Sequence, residues 1–221
     1  MEIWLDTADL DLIENAKSMG ILHGVTTNPS IVAKSKIGME ELFDKILQIQ
    51  NGPVTAQVTA ADGLQMAEQG RELYRFSNRI IVKVPVTKEG LKAIYALSAQ
   101  KIPVMATAVF DLSQVLLAAK AGAVYIAPYF SSICELEMSG FDQFKSMSVL
   151  LNRYQYPAKI IAASLKNAEQ VRECAEIGTH AVTMNKDVFL SFIENHPETV
   201  KRIDRFSKDW QTAQARKILH L

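Results

Sequence analysis

The chain has 221 residues, 48% of them hydrophobic, and its 24 lysines and arginines are balanced by 24 aspartates and glutamates. That apolar fraction supports one large core or two small ones and argues against disorder. With no net charge there is no global field to gather nucleic acid or an anionic membrane, so neither is an expected partner.

From the N-terminus, MEIWLDTADLDL is acidic and lacks the basic start and apolar stretch of a secretory signal, which suits a cytoplasmic protein. EIWLD (2 to 6) is the first of eight short runs rich in β-branched residues. GVTTN (24 to 28), PVTAQVT (53 to 59), IIVKVP (80 to 85) and PVMATAVF (103 to 110) follow. AVYIAPYF (123 to 130), KIIAASL (159 to 165) and HAVTMN (180 to 185) complete the set. Helical spacing lies between them, as in 39 to 50, 62 to 76, 87 to 100 and 168 to 178, where apolar residues recur three or four apart. The most apolar window, VLLAAKAGAVYIAPYF, carries Lys120, Gly122 and Pro128 and reads as helix, turn and strand rather than as a membrane span. Cys134 and Cys174 stand forty positions apart without close-spaced partners, as reduced thiols do.

Strand then helix, eight times over and with no linker composition between, predicts a single domain, 1–221, folded as an α/β (β/α)₈ TIM barrel. A doubly wound open sheet is the runner-up. It would want a glycine-rich phosphate loop after the first strand, and LDTADLDLIEN has none. Residues 198–221 add a C-terminal helix with Val200, Ile203, Phe206, Trp210 and Ala213 on one stripe. It either covers the barrel bottom or packs on a neighbouring subunit, and the second is preferred.

Chemistry in such a barrel belongs to the C-terminal strand ends. There the sequence offers Asp6, Thr26, Asn28, Gln57, Lys83, Thr107, Tyr129, Ser164 with Lys166, and Thr183 with Asn185. One carboxylate, with no histidine or cysteine beside it, does not make a metal site, a Ser-His-Asp device or a two-carboxylate glycosidase. What remains is amine chemistry. Lys83 interrupts an apolar strand, and burial disfavours its charged form, leaving a nucleophilic amine that condenses with a carbonyl. Tyr129 or Asp6 is available as proton carrier, and Gln57 and Thr107 as holders of a water. Ordinary roles compete with each assignment. Lys83 and Asp6 would also serve as a buried ion pair, Asp6 as a helix N-cap, and Asn28-Pro29-Ser30 as a plain turn.

LDTAD, GVTTNPSIV, AQVTA, VKVPVTKEGLKAI, ATAVF, LLAAKAGAVYIAPY, AASLKN and the terminal KDW together resemble the transaldolase family, in particular its short-chain branch containing fructose-6-phosphate aldolase. The resemblance runs from Met1 to about Trp210. It implies an imine between Lys83 and a ketose or dihydroxyacetone, with no metal and no organic cofactor. It further implies a homo-oligomer, a pentamer or a decamer of two pentamers, whose C-terminal helix reaches over a neighbour. Asp6 matches the family's proton-relay aspartate, Asn28 its substrate-holding asparagine, and Thr107 with Gln57 the pair that positions the catalytic water. Thr26, Ser164 and Lys166 are assigned to substrate binding, the last two on the phosphate side.

Gln57 and Tyr129 are the aldolase residues at positions where transaldolases of the resembling family carry glutamate and phenylalanine. The expected reaction is therefore cleavage of fructose 6-phosphate or a related ketose to dihydroxyacetone and an aldehyde. Transfer of the three-carbon unit between sugar phosphates is the alternative, and a non-catalytic sugar-binding barrel is a third. Two departures stand out. Ser132 occupies the place of the family's phosphate-clamping arginine, and TMNK (183 to 186) replaces a motif that tends to carry proline.

Overall fold

A computed structural model of the protein describes residues 1–136 and 140–215. Eight parallel strands close into one barrel in chain order, so the open-sheet alternative falls. They are β1 (Glu2–Asp6), β2 (Leu22–Thr26), β3 (Val54–Gln57), β4 (Ile80–Pro85), β5 (Val104–Val109), β6 (Tyr125–Pro128), β7 (Lys159–Ala162) and β8 (Ala181–Met184). Each lies inside or within two residues of its predicted run. The observed strands are mostly shorter, because the ends of the runs turn into the loops that form the mouth.

The helices between them are α1 (Leu10–Ser18), α2 (Pro29–Ala33), α3 (Met39–Ile49), α4 (Gly63–Phe76), α5 (Lys88–Ser98) and α6 (Leu112–Ala121). They continue with α7 (Phe130–Leu136), α8 (Gly140–Arg153), α9 (Ala168–Ile177), α10 (Lys186–Phe192) and α11 (Pro197–Ala215). Local chemistry sets their ends. Asp9, Asn28, Asp62, Thr87, Asp111, Asn167 and Asn185 each cap a helix by accepting from a backbone N–H in its first turn. Gly122 and Gly178 close α6 and α9 in the left-handed conformation that glycine adopts without a Cβ penalty.

Strand alternation divides the interior in two. One set of side chains, including Val54, Val82, Val104 and Ile126, faces the helices and forms the larger core. The other set fills the lumen: Trp4, Ile81, Met105, Tyr125, Ile161 and Ala181. Trp4 is fully buried, edge-on to Tyr125 with ring centroids 5.3 Å apart, and its indole N–H donates to Glu2. It lies against Gly24, where an added Cβ would come within 2.6 Å of the indole ring and 2.7 Å of the Pro53 carbonyl oxygen. Any side chain there would displace the indole, so Gly24 and Trp4 together plug the barrel floor.

Both cysteines are free, and burial pushes the Cys174 thiol up to about 12, which leaves it unreactive at neutral pH. The C-terminal helix does not cover the barrel bottom. Val200, Ile203, Phe206 and Trp210 are all exposed, and residues 216–221 of the predicted helix lie outside the described range. Among the described residues no helix is long and apolar enough to cross a membrane.

Candidate active site

Parallel strands bring all eight C-terminal ends to one mouth, and a cavity of about 350 Å³ opens there. Seven of the nine residues given a role from the sequence line it: Asp6, Thr26, Asn28, Lys83, Tyr129, Ser164 and Lys166. Gln57 and Thr107 do not. Gln57 sits beside Lys83 in the β3–β4 register yet lines a separate cavity against α3 and α4. Thr107 is buried behind Tyr129, its hydroxyl 3.5 Å from the phenol.

Lys83 is only 5% exposed. Burial holds its pKa below the ordinary lysine value, and the charge of Asp6 opposes that shift without reversing it. The amine donates to the Thr27 carbonyl oxygen at 3.1 Å. Thr27 is itself fixed by two bonds to Thr55, its N–H donating to the Thr55 hydroxyl at 3.0 Å and its own hydroxyl donating to the Thr55 carbonyl at 2.7 Å. A neutral amine can make one such donation and keep its lone pair for a carbonyl carbon.

Asp6 takes neither of its ordinary roles. It forms no ion pair with Lys83 within 4.0 Å, and the N-cap of α1 is Asp9. Its Oδ1 accepts from the Thr26 hydroxyl at 2.7 Å, and Thr26 Oγ1 is also 2.7 Å from Thr183 Oγ1. Thr26 has one proton and gives it to the carboxylate, so Thr183 must donate to Thr26. The chain Thr183, Thr26, Asp6 orients the carboxylate of a residue that lines the cavity. The sequence offers Thr183 only as a strand-end residue without a role; the register that brings β8 beside β1 supplies one.

Asn28 begins a helix rather than a plain turn: its Oδ1 accepts from Ile31 N at 3.0 Å, capping α2. Its amide nitrogen has no partner among the described residues and lies on the cavity. Asn185 repeats the arrangement for α10, accepting from Val188 N at 3.0 Å. Met105, Ala127, Ala163 and Leu165 supply the apolar wall, which alternation from Lys83 in register with Met105 would have indicated. Two non-glycine residues at the mouth adopt left-handed backbone, Ala108 (φ 55) and Ser164 (φ 60). Ala108 falls within the register shift between Ala106 and Val109 where β5 meets β6.

Lys166 is mostly exposed and its amine pairs with Glu135 at 2.7 Å. No group of three His, Cys, Asp or Glu placed to hold a metal occurs among the described residues.

Residues 3–220 match the family model described as Transaldolase/Fructose-6-phosphate aldolase. A "Probable transaldolase" of Clostridium kluyveri is 37% identical over 212 residues, covering 96% of this chain and 98% of that protein. A "Probable transaldolase 2" of Listeria monocytogenes is 38% identical over 211 residues and 96% of each chain. A "Probable transaldolase" of Geobacillus thermodenitrificans is 38% identical over 214 residues, 97% of this chain and all of that one. A mandelate oxidase mutant bound to an FMN adduct has a TM-score of 0.57 at 13% identity; the match covers 82% of this chain and 62% of that one, and it speaks for the barrel alone. With the family model matching nearly the whole chain and these relatives 37–38% identical across it, the chain belongs to the transaldolase/fructose-6-phosphate aldolase family.

Proposed function

We propose that the protein is a Schiff-base aldolase that reversibly cleaves fructose 6-phosphate or a related ketose to dihydroxyacetone and an aldehyde. The observation that carries this reading is the amine of Lys83, buried in apolar wall and held below ordinary lysine basicity, in one cavity with the Tyr129 phenol and the Asp6 carboxylate.

The Lys83 nitrogen adds to the ketone carbon, and loss of water gives a protonated imine. Asp6 takes the proton of the hydroxyl two carbons along. The bond between that hydroxyl-bearing carbon and its neighbour next to the imine carbon breaks, its electron pair moving toward the imine nitrogen, and an aldehyde and an enamine result. Tyr129 protonates the enamine carbon, and the proton held by Asp6 passes through water to the phenolate, restoring both groups. Water entering the cavity then hydrolyses the imine, releasing dihydroxyacetone and free amine. Thr26, Asn28, Ser164 and Lys166 hold the rest of the sugar.

Transfer of the three-carbon unit to a second sugar is the other reading, favoured by the names of the relatives. Tyr129 favours release. Borohydride reduction with dihydroxyacetone, followed by peptide mass analysis, is expected to place a three-carbon adduct on Lys83; an unmodified Lys83 peptide from active enzyme would overturn the reading. Dominant transfer to erythrose 4-phosphate over release of free dihydroxyacetone would favour the transferase. The exposed stripe of α11 suits packing on a second copy in a pentamer or decamer, and light scattering of a monomer would remove that part.

A further inference from the structure

The charged lining of the mouth cavity consists, among the described residues, of Asp6, Lys83 and Lys166. Lys83 is the buried amine, which leaves Lys166 as the rim cation. It is not free. Its Nζ lies 2.7 Å from Glu135 Oε1, and α7, which carries Glu135, is tied to the same loop one turn earlier. There Gln170 Oε1 accepts from both the Ser131 hydroxyl at 2.7 Å and the Lys166 backbone N–H at 2.8 Å. Ser131 and Glu135 stand four apart on one helix face, so the tie that holds Ser131 also turns Glu135 toward Lys166. The first turn of α9, just beyond, carries Glu169, whose charge is taken up by Arg172 on the same helix.

Both partners are 61% exposed, so the pair itself contributes little to stability. With the pair in place, Glu135 offsets part of the potential that Lys166 presents to an arriving dianion.

We propose that Glu135 is a specificity-determining residue: by neutralising Lys166 it makes the rim a seat for an uncharged polyol tail and selects against a phosphorylated one. The proposal rests on the aldolase reading and narrows its substrate class to unphosphorylated ketoses and aldehydes.

The test compares aldol addition of dihydroxyacetone to glyceraldehyde and to glyceraldehyde 3-phosphate, in the wild type, Glu135→Gln, and Glu135→Gln combined with Lys166→Gln. The wild type is expected to use the neutral acceptor at least as well as the phosphorylated one. Glu135→Gln is expected to raise the phosphorylated-to-neutral ratio of kcat/KM roughly five- to tenfold, through KM rather than kcat, the effect of one charge-assisted hydrogen bond to phosphate at an exposed site. The double variant should return to the wild-type ratio. An unchanged ratio in Glu135→Gln, or a wild type that prefers the phosphorylated acceptor tenfold or more, would sink the proposal. Thermal shift with inorganic phosphate separates the two levels. A phosphate-dependent shift that appears only in Glu135→Gln supports the neutralising role even if no dihydroxyacetone adduct forms, in which case the aldolase reading alone fails.

Discussion

The Tyr129 phenol stands 3.5 Å from the Thr107 hydroxyl, at the limit of hydrogen-bond reach, with the Phe110 ring edge-on to its own at 5.3 Å. Phe110 restricts the ring while the loose contact with Thr107 leaves the hydroxyl free to turn into the cavity. Tyr129→Phe keeps the ring and removes the proton. Release of free dihydroxyacetone should then fall by roughly a hundredfold or more, while borohydride trapping of the Lys83 adduct persists. Rapid-quench measurement of both steps checks this, and undiminished release would assign the proton to another group.

The threonine pair behind Asp6 makes a different prediction. Thr26→Val strands Asp6 Oδ1 without its donor and Thr183 without its acceptor, at a cost of about 1–3 kcal/mol in urea denaturation. Thr183→Val removes only the terminal donor and should cost less. Activity should fall in both, further in Thr26→Val, because a carboxylate free to rotate is a poorly placed base.

Lys83 titration fixes the sign of a pH effect. Burial favours the neutral amine, so the rate of imine trapping should climb with pH and level off below the ordinary lysine value of 10.5. Asp6 pulls the other way. Asp6→Asn removes the charge that favours the ammonium, so the midpoint of trapping should move lower still. A wild-type midpoint at the solution value would contradict the burial argument.

At the barrel floor, Glu2 accepts from Trp4, Tyr125 and Lys159, and His180 Nδ1 accepts from the Ile160 N–H at 3.2 Å. Burial and the charge of Lys159 hold His180 below its ordinary 6.5, against the opposing pull of Glu2. The unfolded chain therefore binds that proton first, and stability present above 6.5 is lost as pH falls toward the folded value. Glu2 adds a second loss at lower pH. Burial raises its pKa, but the hydrogen bonds led by Lys159 outweigh burial and hold it below 4.5. Melting temperature should drop from pH 7 to pH 5, and less in His180→Asn. Equal slopes would show that His180 is not the group responsible.

The barrel is legible because its strands and helices announce themselves by local period, and Lys83 because a lysine inside IIVKVP contradicts its surroundings. Positions set by register are not. The contact between Thr26 and Thr183 joins residues 157 apart in sequence, and no spacing rule reaches that far. Asp6 and Asp9 both follow the first strand's apolar residues, and only the backbone path shows that the second of them, one turn later, caps α1. Gln57 shows the limit from the other side. Its strand is evident from local composition, yet a residue beside Lys83 in register opens toward a different cavity. Glu135 carries no signal at all, since its contact with Lys166 joins residues 31 positions apart.

The indole of Trp4 stops the tube at one end, so the reaction chamber is a cul-de-sac. In the proposed reaction, the fragment bonded to Lys83 and the fragment cut from it share one doorway. The proposed aldolase reaction is then expected to release the aldehyde fragment first and the three-carbon fragment last, with an incoming aldehyde admitted only in the interval between. That ordering is imposed by architecture before any difference in affinity acts.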